Sequence, residues 1–475
     1  RGFFAKLEHP AAGSVEVPAI PFKSTETKAA PYRPPLLGEH TDEVFSELDE
    51  HDDPPALPAG NTNGNPLPLE GLRVLDLSMF FAGPSCAQLA ADAGAAVIKV
   101  ESVQRIDGWR GPGSQGAQEE LPSWESSPLF NWVNRNKRDI TLNLTDRRGV
   151  DILKQLVEKA DVLIENYTPR VMDKFGLSYQ TLRGINPGLV MISLSGFGAD
   201  TTWRDYVAFG MSTEQMSGVS HLTGYADDEP LYTGMTGGDL FAGVMGAHVL
   251  FAALHHRNAT GQGQHIDLSQ MEACNLFIGD AMTGWSLAGF DPGRTGNNHR
   301  NYAPQGIYPC EDDRWIGITC KTDAQWRALG ELIGKSQWLE PGAGFQDAPS
   351  RLAQTDEIDR AIGDWTQSQD RLALMELLQR AGIPAGAVLN GPDLLADPQL
   401  HARGSFLLQD RPGLGEKHYP NQPYRFKHAG PVPNERAPLL GEHTSEVLTE
   451  LGLSSDEIAE LEAADVIGTV PIAAR

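Results

Sequence analysis

The chain has 475 residues, of which 40% are hydrophobic and 21% are charged, and its formal net charge is −25. The length predicts two to three domains that each bury a core, and the composition is that of an ordinary soluble globular protein. The charge argues against nucleic acid and against a membrane surface as general partners, because phosphate groups bind to positive surfaces.

Cysteines and apolar runs narrow the class further. The four cysteines are Cys86, Cys274, Cys310 and Cys320. They are scattered and form no CxxC pair, so neither a disulfide framework nor a zinc site is predicted. No continuous apolar run reaches the ~18 residues that a membrane span needs, and no signal peptide is visible. We therefore expect a cytoplasmic protein without a bound metal.

A sequence repeat relates the two ends of the chain. RPPLLGEHTDEV at residues 33–44 matches RAPLLGEHTSEV at 436–447, and RGFF at 1–4 corresponds to RGSF at 403–406. This self-similarity predicts that residues 1–48 are the tail segment of a preceding copy of the domain that follows. The alternative is a chance match between two short helix-capping segments.

From residue 69 onward, short apolar runs alternate with helical stretches. Residues 49–68 are rich in proline, glycine and asparagine, which predicts a linker before this region. The predicted strands are Leu72–Leu77, Ala96–Glu101, Asp161–Asn166, Leu189–Phe197 and Gln264–Leu268, and the predicted helices are Cys86–Ala93, 147–159, 240–256 and one that begins near Ser269. Alternation of this kind predicts an α/β fold with a parallel sheet.

Two further segments complete the predicted architecture. Residues 301–400 carry their own strand and helix signals, which predicts a smaller α+β domain. Residues 69–300 form the first part of the large Rossmann-like domain, and residues 401–475 are predicted to return to it. The motif Ser454-x-x-Glu457 predicts a capping box at the start of the last helix.

The first strand–helix–strand unit is similar to a dinucleotide-binding unit, with Glu101 placed where a ribose-binding carboxylate would lie. The glycine-rich phosphate-binding fingerprint is absent, however. The loop reads MFFAGPSCAQ, and the two phenylalanines would block a close approach of a pyrophosphate. A nicotinamide cofactor is therefore not predicted.

Several motifs in order resemble the CaiB/BaiF type, the family III coenzyme A transferases. They include PLEGLRVLDLSMFFAGPSCAQLAADAGAAVIKVE, ADVLIENYTPRVMDKFGLSY, LSGFG, GGDLFAG, NATGQGQHIDLSQMEA and RTGNNHRNYAPQGIY, and together they span about residues 68–460. The resemblance implies a large CoA-binding domain, a small domain and an interlocked dimer. With the repeat, it implies a tandem-domain member whose first domain is truncated, paired either with that domain or with a second copy.

Asp239 follows two glycines and precedes an apolar helical run, a pattern that predicts a helix N-cap. A helix N-terminus stabilises a carboxylate, which keeps it available as a nucleophile. By resemblance, the Gly-Gly-Asp segment carries the catalytic aspartate. The implied reaction moves CoA between an acyl-CoA and an acceptor carboxylic acid through a covalent aspartyl intermediate.

The resemblance also implies a set of CoA contacts. Two of its positions depart from the family pattern, because Ser102 and Lys174 stand where arginines are usual; Arg105 lies near enough to Ser102 in sequence to compensate. The full set is Phe80, Phe81, Ala82, Ser102, Arg105, Leu142, Asn166, Tyr167, Val171 and Lys174.

Three alternatives remain open from the sequence. An acyl-CoA racemase of this family pairs an aspartate with a histidine; Phe209 stands at that position here, and Glu214 is a candidate replacement base. A CoA-transferase/lyase is a second alternative, with Phe80, Phe81, Trp203 and Phe209 lining a pocket for an apolar acid or for a betaine-like acid such as dimethylsulfoniopropionate. The third is a non-catalytic half of a tandem pseudo-dimer.

Overall fold

A computed structural model describes residues 1–28, 31–50, 66–111 and 122–474. The chain forms two compact units. The first comprises residues 1–219, 232–291 and 404–475, and the second comprises residues 220–231 and 292–403. The small domain predicted over 301–400 therefore also takes in a short segment, 220–231, from within the large one. Apart from its ends, the predicted linker at 49–68 lies outside the described residues.

The first unit is built around a seven-stranded sheet. Its strands are β3 (Phe22–Ser24), β4 (Arg73–Asp76), β5 (Ala96–Glu101), β6 (Lys137–Thr141), β7 (Val162–Glu165), β8 (Val190–Ser195) and β9 (His265–Ser269). Their spatial order is β3-β9-β8-β7-β4-β5-β6, and every pair is parallel except β3–β9. The chain thus reverses its direction of winding between β4 and β7, the place where open α/β sheets bind ligands at the carboxyl ends of their strands.

Two hairpins flank this sheet in the first unit, β1 (Phe4–His9) with β2 (Gly13–Pro18), and β13 (Phe406–Arg411) with β14 (Gly415–Pro420). The helices of the unit are α1 (Thr41–Glu50), α2 (Ala82–Asp92), α3 (Pro128–Val133), α4 (Arg147–Glu158), α5 (Arg170–Lys174), α6 (Tyr179–Ile185), α7 (Gly210–Ser217), α9 (Gly237–Thr260), α10 (Gln270–Asn275), α11 (Gly279–Ala288), α18 (Thr444–Leu451) and α19 (Ser455–Ala463). Helices α2 and α9 cover one face of the sheet, and α4, α6, α18 and α19 cover the other. The short α8 (Val219–Leu222) lies at the boundary with the second unit.

Small residues allow α9 to pack closely on α2. A Cβ at Gly243 would collide with the Ala82 carbonyl, and one at Gly246 would collide with Leu194 of β8. The inner faces of α2 and α9 are buried with Val162, Ile164 and the rest of one core cluster. Close packing of α9 on α2 and β8 requires small side chains, and the sequence of α9 provides glycine and alanine along this stretch.

Helix α9 is also long and apolar enough to cross a membrane, as judged by length and composition alone. Within the described part of the chain it is the one helix with this property, and half of its most apolar stretch is buried inside the structure. Core helices of soluble proteins meet the same criterion. The sequence search for a continuous apolar run did not detect it.

The second unit has a three-stranded antiparallel sheet and its own core. The strands are β10 (Gln305–Cys310), β11 (Arg314–Thr319) and β12 (Ala385–Ala387), and the helices are α12 (Asp323–Leu332), α13 (Ala348–Leu352), α14 (Thr355–Thr366), α15 (Arg371–Arg380), α16 (Gly391–Ala396) and α17 (Pro398–Ala402). Trp326, Trp338 and Phe345 stack at the centre of this core. The composition is α+β, as predicted for the small domain.

Most of the predicted strands and helices are present within one to four residues, and the Ser454–Glu457 capping box is formed. Two strands of the sheet were not predicted. β6 reads KRDIT, and its Lys137 is buried because it forms an ion pair with Asp76 at 2.8 Å. β3 lies in the tail segment predicted for residues 1–48, yet it pairs with β9 of this unit.

Candidate active site

Asp239 lies in the first turn of α9. The helix begins at Gly237, and the residue before it, Thr236, has left-handed backbone angles (φ 49°). Asp239 is therefore the third helical residue, and its N–H donates to the Thr236 carbonyl at 3.1 Å. The sequence-based assignment of Asp239 as the N-cap is wrong by three positions. The carboxylate is nonetheless within the turn where the helix dipole favours negative charge.

The Asp239 carboxylate faces the start of α7. A hydrogen bond from the Gly210 backbone reaches it, and a Cβ at position 210 would collide with its Oδ2. Burial raises the pKa of Asp239 to about 6; the Gly210 bond opposes this shift, and the negative charge of Glu214 adds to it. At neutral pH most of the population is ionised but poorly solvated, a combination that suits a nucleophile.

Glu214, the candidate base, is buried and already bonded. Its carboxylate accepts hydrogen bonds from the Thr233 N–H at 3.0 Å, from the Thr233 hydroxyl at 3.0 Å and from the Gly238 N–H at 3.2 Å. The Gly238 N–H is one of the unpaired donors at the start of α9. Glu214 therefore fixes the segment between Thr233 and Gly238, which leads into α9.

The loop after β4 reaches the same region. Phe80 has left-handed backbone angles (φ 64°), which are uncommon for a residue with a side chain. Asn166, directly after β7, accepts a hydrogen bond from the Met79 N–H at 2.8 Å and donates one to the Met79 carbonyl at 2.7 Å. Asp107 accepts from the Phe80 N–H at 3.1 Å. These contacts hold Phe80 in its left-handed conformation and fix the position of its ring.

An aromatic cluster joins this loop to Asp239. The Phe80 ring packs edge-on against Phe209 at 5.4 Å and against Trp109 at 5.8 Å between ring centroids. Phe209 immediately precedes Gly210, whose backbone contacts Asp239. The predicted nucleophile and the predicted CoA loop are thus brought together at the edge of the sheet where the winding reverses.

Lys99 supports the loop from below. This fully buried side chain on β5 donates to the Ser78 carbonyl at 2.9 Å and pairs with Asp107 at 3.0 Å. Glu101 accepts from the Asp107 N–H at 2.9 Å and pairs with Arg110 at 2.8 Å, so it is not free to bind a ribose. The sequence analysis did not name Lys99 or Asp107. A lysine inside an otherwise apolar strand, AVIKVE, is the signal that a buried carboxylate partner exists.

Three of the predicted contact residues have side chains inside the protein. Phe81 is buried against Trp132, with ring centroids 5.2 Å apart, and Ala82 is fully buried at the start of α2. Leu142 lies in the core beside Leu153. Leu142, directly after β6, therefore presents no side-chain surface to a ligand, because its side chain is fully buried.

The other predicted residues lie at several places. Trp203 stacks on Tyr206 and packs edge-on against Phe197, a cluster separate from Phe80. Tyr167 follows Asn166, and burial raises the pKa of its hydroxyl. Val171 and Lys174 are on α5, with Lys174 exposed. In the loop after β5, Ser102 bonds to Gln104 at 2.5 Å and Arg105 is exposed.

Comparison with known proteins assigns the family. The sequence model of CoA-transferase family III matches residues 69–444. The chain belongs to CoA-transferase family III. It is 34% identical over 403 residues to a succinyl-CoA–D-citramalate CoA-transferase of Chloroflexus aurantiacus, covering 85% of this chain and 98% of the relative. It is also 34% identical over 398 residues to a succinyl-CoA:mesaconate CoA-transferase of Haloarcula hispanica, covering 82% and 97%.

A solved structure agrees with this assignment. The crystal structure of a CaiB/BaiF family protein from Brucella suis matches with a TM-score of 0.74 at 32% identity, covering 82% of this chain and all of that one. The α/β architecture and the parallel-dominated sheet are therefore those of CaiB/BaiF proteins, and the protein is an enzyme of the transferase class. The predicted family, fold class and enzyme class are confirmed.

The residues around Phe80 fit an acyl-CoA substrate. The indole Nε1–H of Trp109 is buried and has no hydrogen-bond partner among the described residues. Such an orphaned donor beside an accessible aromatic ring suits a carbonyl or amide oxygen of a bound thioester. In the described ranges no group of three histidine, cysteine, aspartate or glutamate side chains is arranged to hold a metal ion.

Proposed function

We propose that this protein transfers CoA from an acyl-CoA to a carboxylic acid through covalent intermediates on Asp239. The observation that carries the proposal is the position of Asp239: a partly buried carboxylate in the first turn of α9, in contact with Gly210 and bordered by the Phe80 loop. No described lysine or arginine forms an ion pair with it. Its charge is therefore available for chemistry instead of being neutralised by a structural partner.

The first half of the reaction loads the enzyme. An Asp239 carboxylate oxygen attacks the thioester carbonyl, the carbon–sulfur bond breaks, and the CoA thiolate leaves a mixed anhydride on Asp239. The thiolate then attacks the aspartyl carbonyl, which forms an aspartyl-CoA thioester and releases the donor acid as a carboxylate. Each step exchanges one activated acyl bond for another, so the free energy of the thioester is retained and is not lost to hydrolysis.

The second half reverses these steps with a new acid. The acceptor carboxylate attacks the aspartyl thioester and expels the CoA thiolate, and the thiolate then captures the acceptor acyl group to give the new acyl-CoA and free Asp239. Every thiolate released is consumed in the next step, so no net proton or water is required. Water must be kept from the anhydride, and the aromatic rings of Phe80, Phe209 and Trp109 support such exclusion.

The two relatives described above are named for succinyl-CoA, which makes it the first donor to test. The protein is incubated with succinyl-CoA and single carboxylic acids, and new acyl-CoA species are measured by mass spectrometry. A new thioester that depends on both substrates, and is lost in Asp239→Asn, is the expected result. Binding of CoA without exchange for any donor would refute the proposal and favour the non-catalytic alternative.

The racemase and lyase alternatives need a second base, and Glu214 was the candidate. Its three hydrogen bonds to Thr233 and Gly238 occupy the carboxylate in holding the start of α9, which favours a positioning role. Deuterium incorporation at the α-carbon of an acyl-CoA substrate tests the remaining possibility. We expect none above the rate measured without enzyme.

A further inference from the structure

The chain contains two copies of one docking segment. We call residues 33–48 the first tail copy and residues 436–451 the second tail copy. The two differ at four positions, which are Pro34/Ala437, Asp42/Ser445, Phe45/Leu448 and Ser46/Thr449. The hairpins that precede them also correspond, because β1–β2 pairs Phe4 with Pro18 and β13–β14 pairs Phe406 with Pro420 in the same register.

Both tail copies fold in the same way. In the first, Arg33 forms an ion pair with Glu39, which also accepts the Leu36 N–H at 2.8 Å. In the second, Arg436 pairs with Glu442, which accepts the Leu439 N–H at 2.8 Å. The helix that follows begins at the equivalent threonine in each copy, in α1 and in α18. The conformation is therefore encoded in the segment itself.

The second tail copy is docked on the first unit. The Leu440 N–H donates to Glu125 at 2.9 Å, the Gly441 N–H donates to Asp139 at 2.6 Å, and the Thr444 hydroxyl accepts from the Thr141 N–H at 3.1 Å. We call this receiving surface, formed by Glu125, Asp139 and the edge of β6, the tail groove. The apolar side chains of the segment enter the core, where Val447 and Leu448 are at most 1% exposed.

The first tail copy presents the same apolar side chains to solvent. Leu37 is fully exposed at 107%, whereas its counterpart Leu440 is 1% exposed. Val44 is 51% exposed and Phe45 is 63% exposed, against 1% and 0% for their counterparts. The first tail copy thus has the conformation of the docked segment while its apolar face is exposed, which indicates that this face binds another domain.

The residues upstream of the first tail copy are bound to this unit. Arg1 forms ion pairs with Asp267 and with Glu272, the latter at 2.8 Å, and β3 adds a strand to β9. The tail groove of this unit is filled by the second tail copy. The first tail copy is thus tethered here, while the groove that it matches is already occupied.

We propose that the first tail copy is the tail of another domain of this same fold, and that it docks into the tail groove of that domain. Residues 1–48 then join two such domains: the upstream part completes the sheet of this domain, and residues 33–48 complete the core of the other. The partner is recognised by two carboxylates placed to accept the N–H groups of Leu37 and Gly38 and by an apolar pocket for Leu37, Val44 and Phe45.

A graft in the full chain tests whether the first tail copy fits this groove. The variant A437P/S445D/L448F/T449S gives residues 436–451 the sequence of the first tail copy. We expect the melting temperature to stay within about 5 °C of the parent value, and the amides of residues 445–451 to remain protected from hydrogen exchange. Adding Leu440→Asp to the graft is the matched control, and it should lower the melting temperature by more than about 8 °C.

Loss of protection in the graft itself, to the level of the Leu440→Asp control, would overturn the proposal, since the first tail copy would then lack the shape of a docking segment. A tandem chain tests the interaction with a second domain. Residues 66–402 are joined in front of residue 1, so that the first tail copy takes the place of residues 436–451 for the added domain.

In the tandem chain we expect hydrogen exchange of the amides of residues 44–48 to slow at least about tenfold relative to the parent chain. Leu37→Asp in the tandem should restore the parent rate. An unchanged rate at residues 44–48 in a tandem whose added domain is folded would also overturn the proposal, because the groove would be present and unused.

Discussion

Two groups of buried carboxylates in the first unit have opposite electrostatic surroundings. Beneath the Phe80 loop, burial alone would raise the pKa values of Asp76 and Glu101, but Lys137, Lys99 and Arg110 hold them below their usual range. At the start of α9, burial raises the pKa of Asp239 to about 6, and the charge that acts on it from the described residues is the like charge of Glu214.

The difference separates scaffold from chemistry. Asp76 and Asp107 form ion pairs with Lys137 and Lys99, and they accept the N–H groups of Ser78 and Phe80 in the loop after β4. Asp239 is left unpaired at a cost in stability, which is the usual state of a reactive group in an active site. The predictions below perturb each side of this contrast.

Asp239→Asn should have the largest effect on turnover. The amide cannot attack a thioester, so CoA transfer is expected to fall by at least ~10³-fold. The same change removes a poorly solvated charge, so the melting temperature at pH 8 should rise by a few degrees. A raised folded-state pKa makes this charge increasingly destabilising as the pH rises from about 4 to about 6, so the gain should vanish near pH 4. Calorimetry at the two pH values checks the sign.

Lys99→Met should strike the scaffold instead. Removal of the buried ammonium leaves Asp107 without its ion-pair partner, while Asp76 keeps Lys137, and we expect a loss of about 3–5 kcal/mol in the free energy of unfolding. Lys417→Met, on the exposed face of β14, is the matched control and should change that free energy by less than ~0.5 kcal/mol. Equal denaturant midpoints for the two variants would show that Lys99 does not stabilise the fold beneath the Phe80 loop.

Gly210→Ala should act on Asp239 through space. The new Cβ occupies the position of the carboxylate oxygen, so Asp239 must turn away, and kcat/KM is expected to fall by ~10²-fold. Gly184→Ala in α6 is the control, because a Cβ there meets no atom within 4 Å. That variant should keep full activity in the steady-state assay. A Gly210→Ala enzyme as active as the control would show that the contact is irrelevant.

The pH profile should report the raised pKa of Asp239. Protonation removes the nucleophile, so kcat/KM should decline about tenfold per pH unit below about 6 and level off above that value. A midpoint near 4 would show that Asp239 is better solvated or better paired than this geometry implies. The profile is measured with a donor whose own carboxylates titrate well below pH 6.

Trp109→Phe should produce the smallest change. It keeps an aromatic ring beside Phe80 and removes the indole N–H, which has no hydrogen-bond partner among the described residues, so KM for the acyl-CoA is expected to rise about 3- to 10-fold with little change in kcat. A lower kcat with unchanged KM would place the N–H in the transition state instead of the binding step.

The sequence predicted the sheet wherever strands are mainly apolar, as in β5 and β8. It did not predict β6, because Lys137 and Asp139 in that strand are compatible with burial only through Asp76 and the groups around Gly441, which lie far away in sequence. β3 was missed for the same reason, since its pairing partner is β9.

The candidate site was found in part. Asp239, Phe80 and Asn166 were named from the family resemblance, and the structure brings the Phe80 loop to Asp239 through Phe209. Gly210, Asp107 and Trp109 were not named, because their roles arise from contacts across loops that carry no local periodicity. Leu142 was named from its position in a motif, but its side chain is buried in the core. A position in a motif therefore does not by itself identify a side chain that can contact a ligand.

Trapping of the covalent enzyme tests the central claim most directly. The parent protein and Asp239→Asn are incubated with succinyl-CoA and hydroxylamine, and the peptide containing residue 239 is analysed by mass spectrometry. The account predicts an aspartyl hydroxamate at Asp239 in the parent that requires the acyl-CoA and is absent from the variant. CoA transfer by the parent with no hydroxamate at Asp239, or with one at another carboxylate, would contradict it.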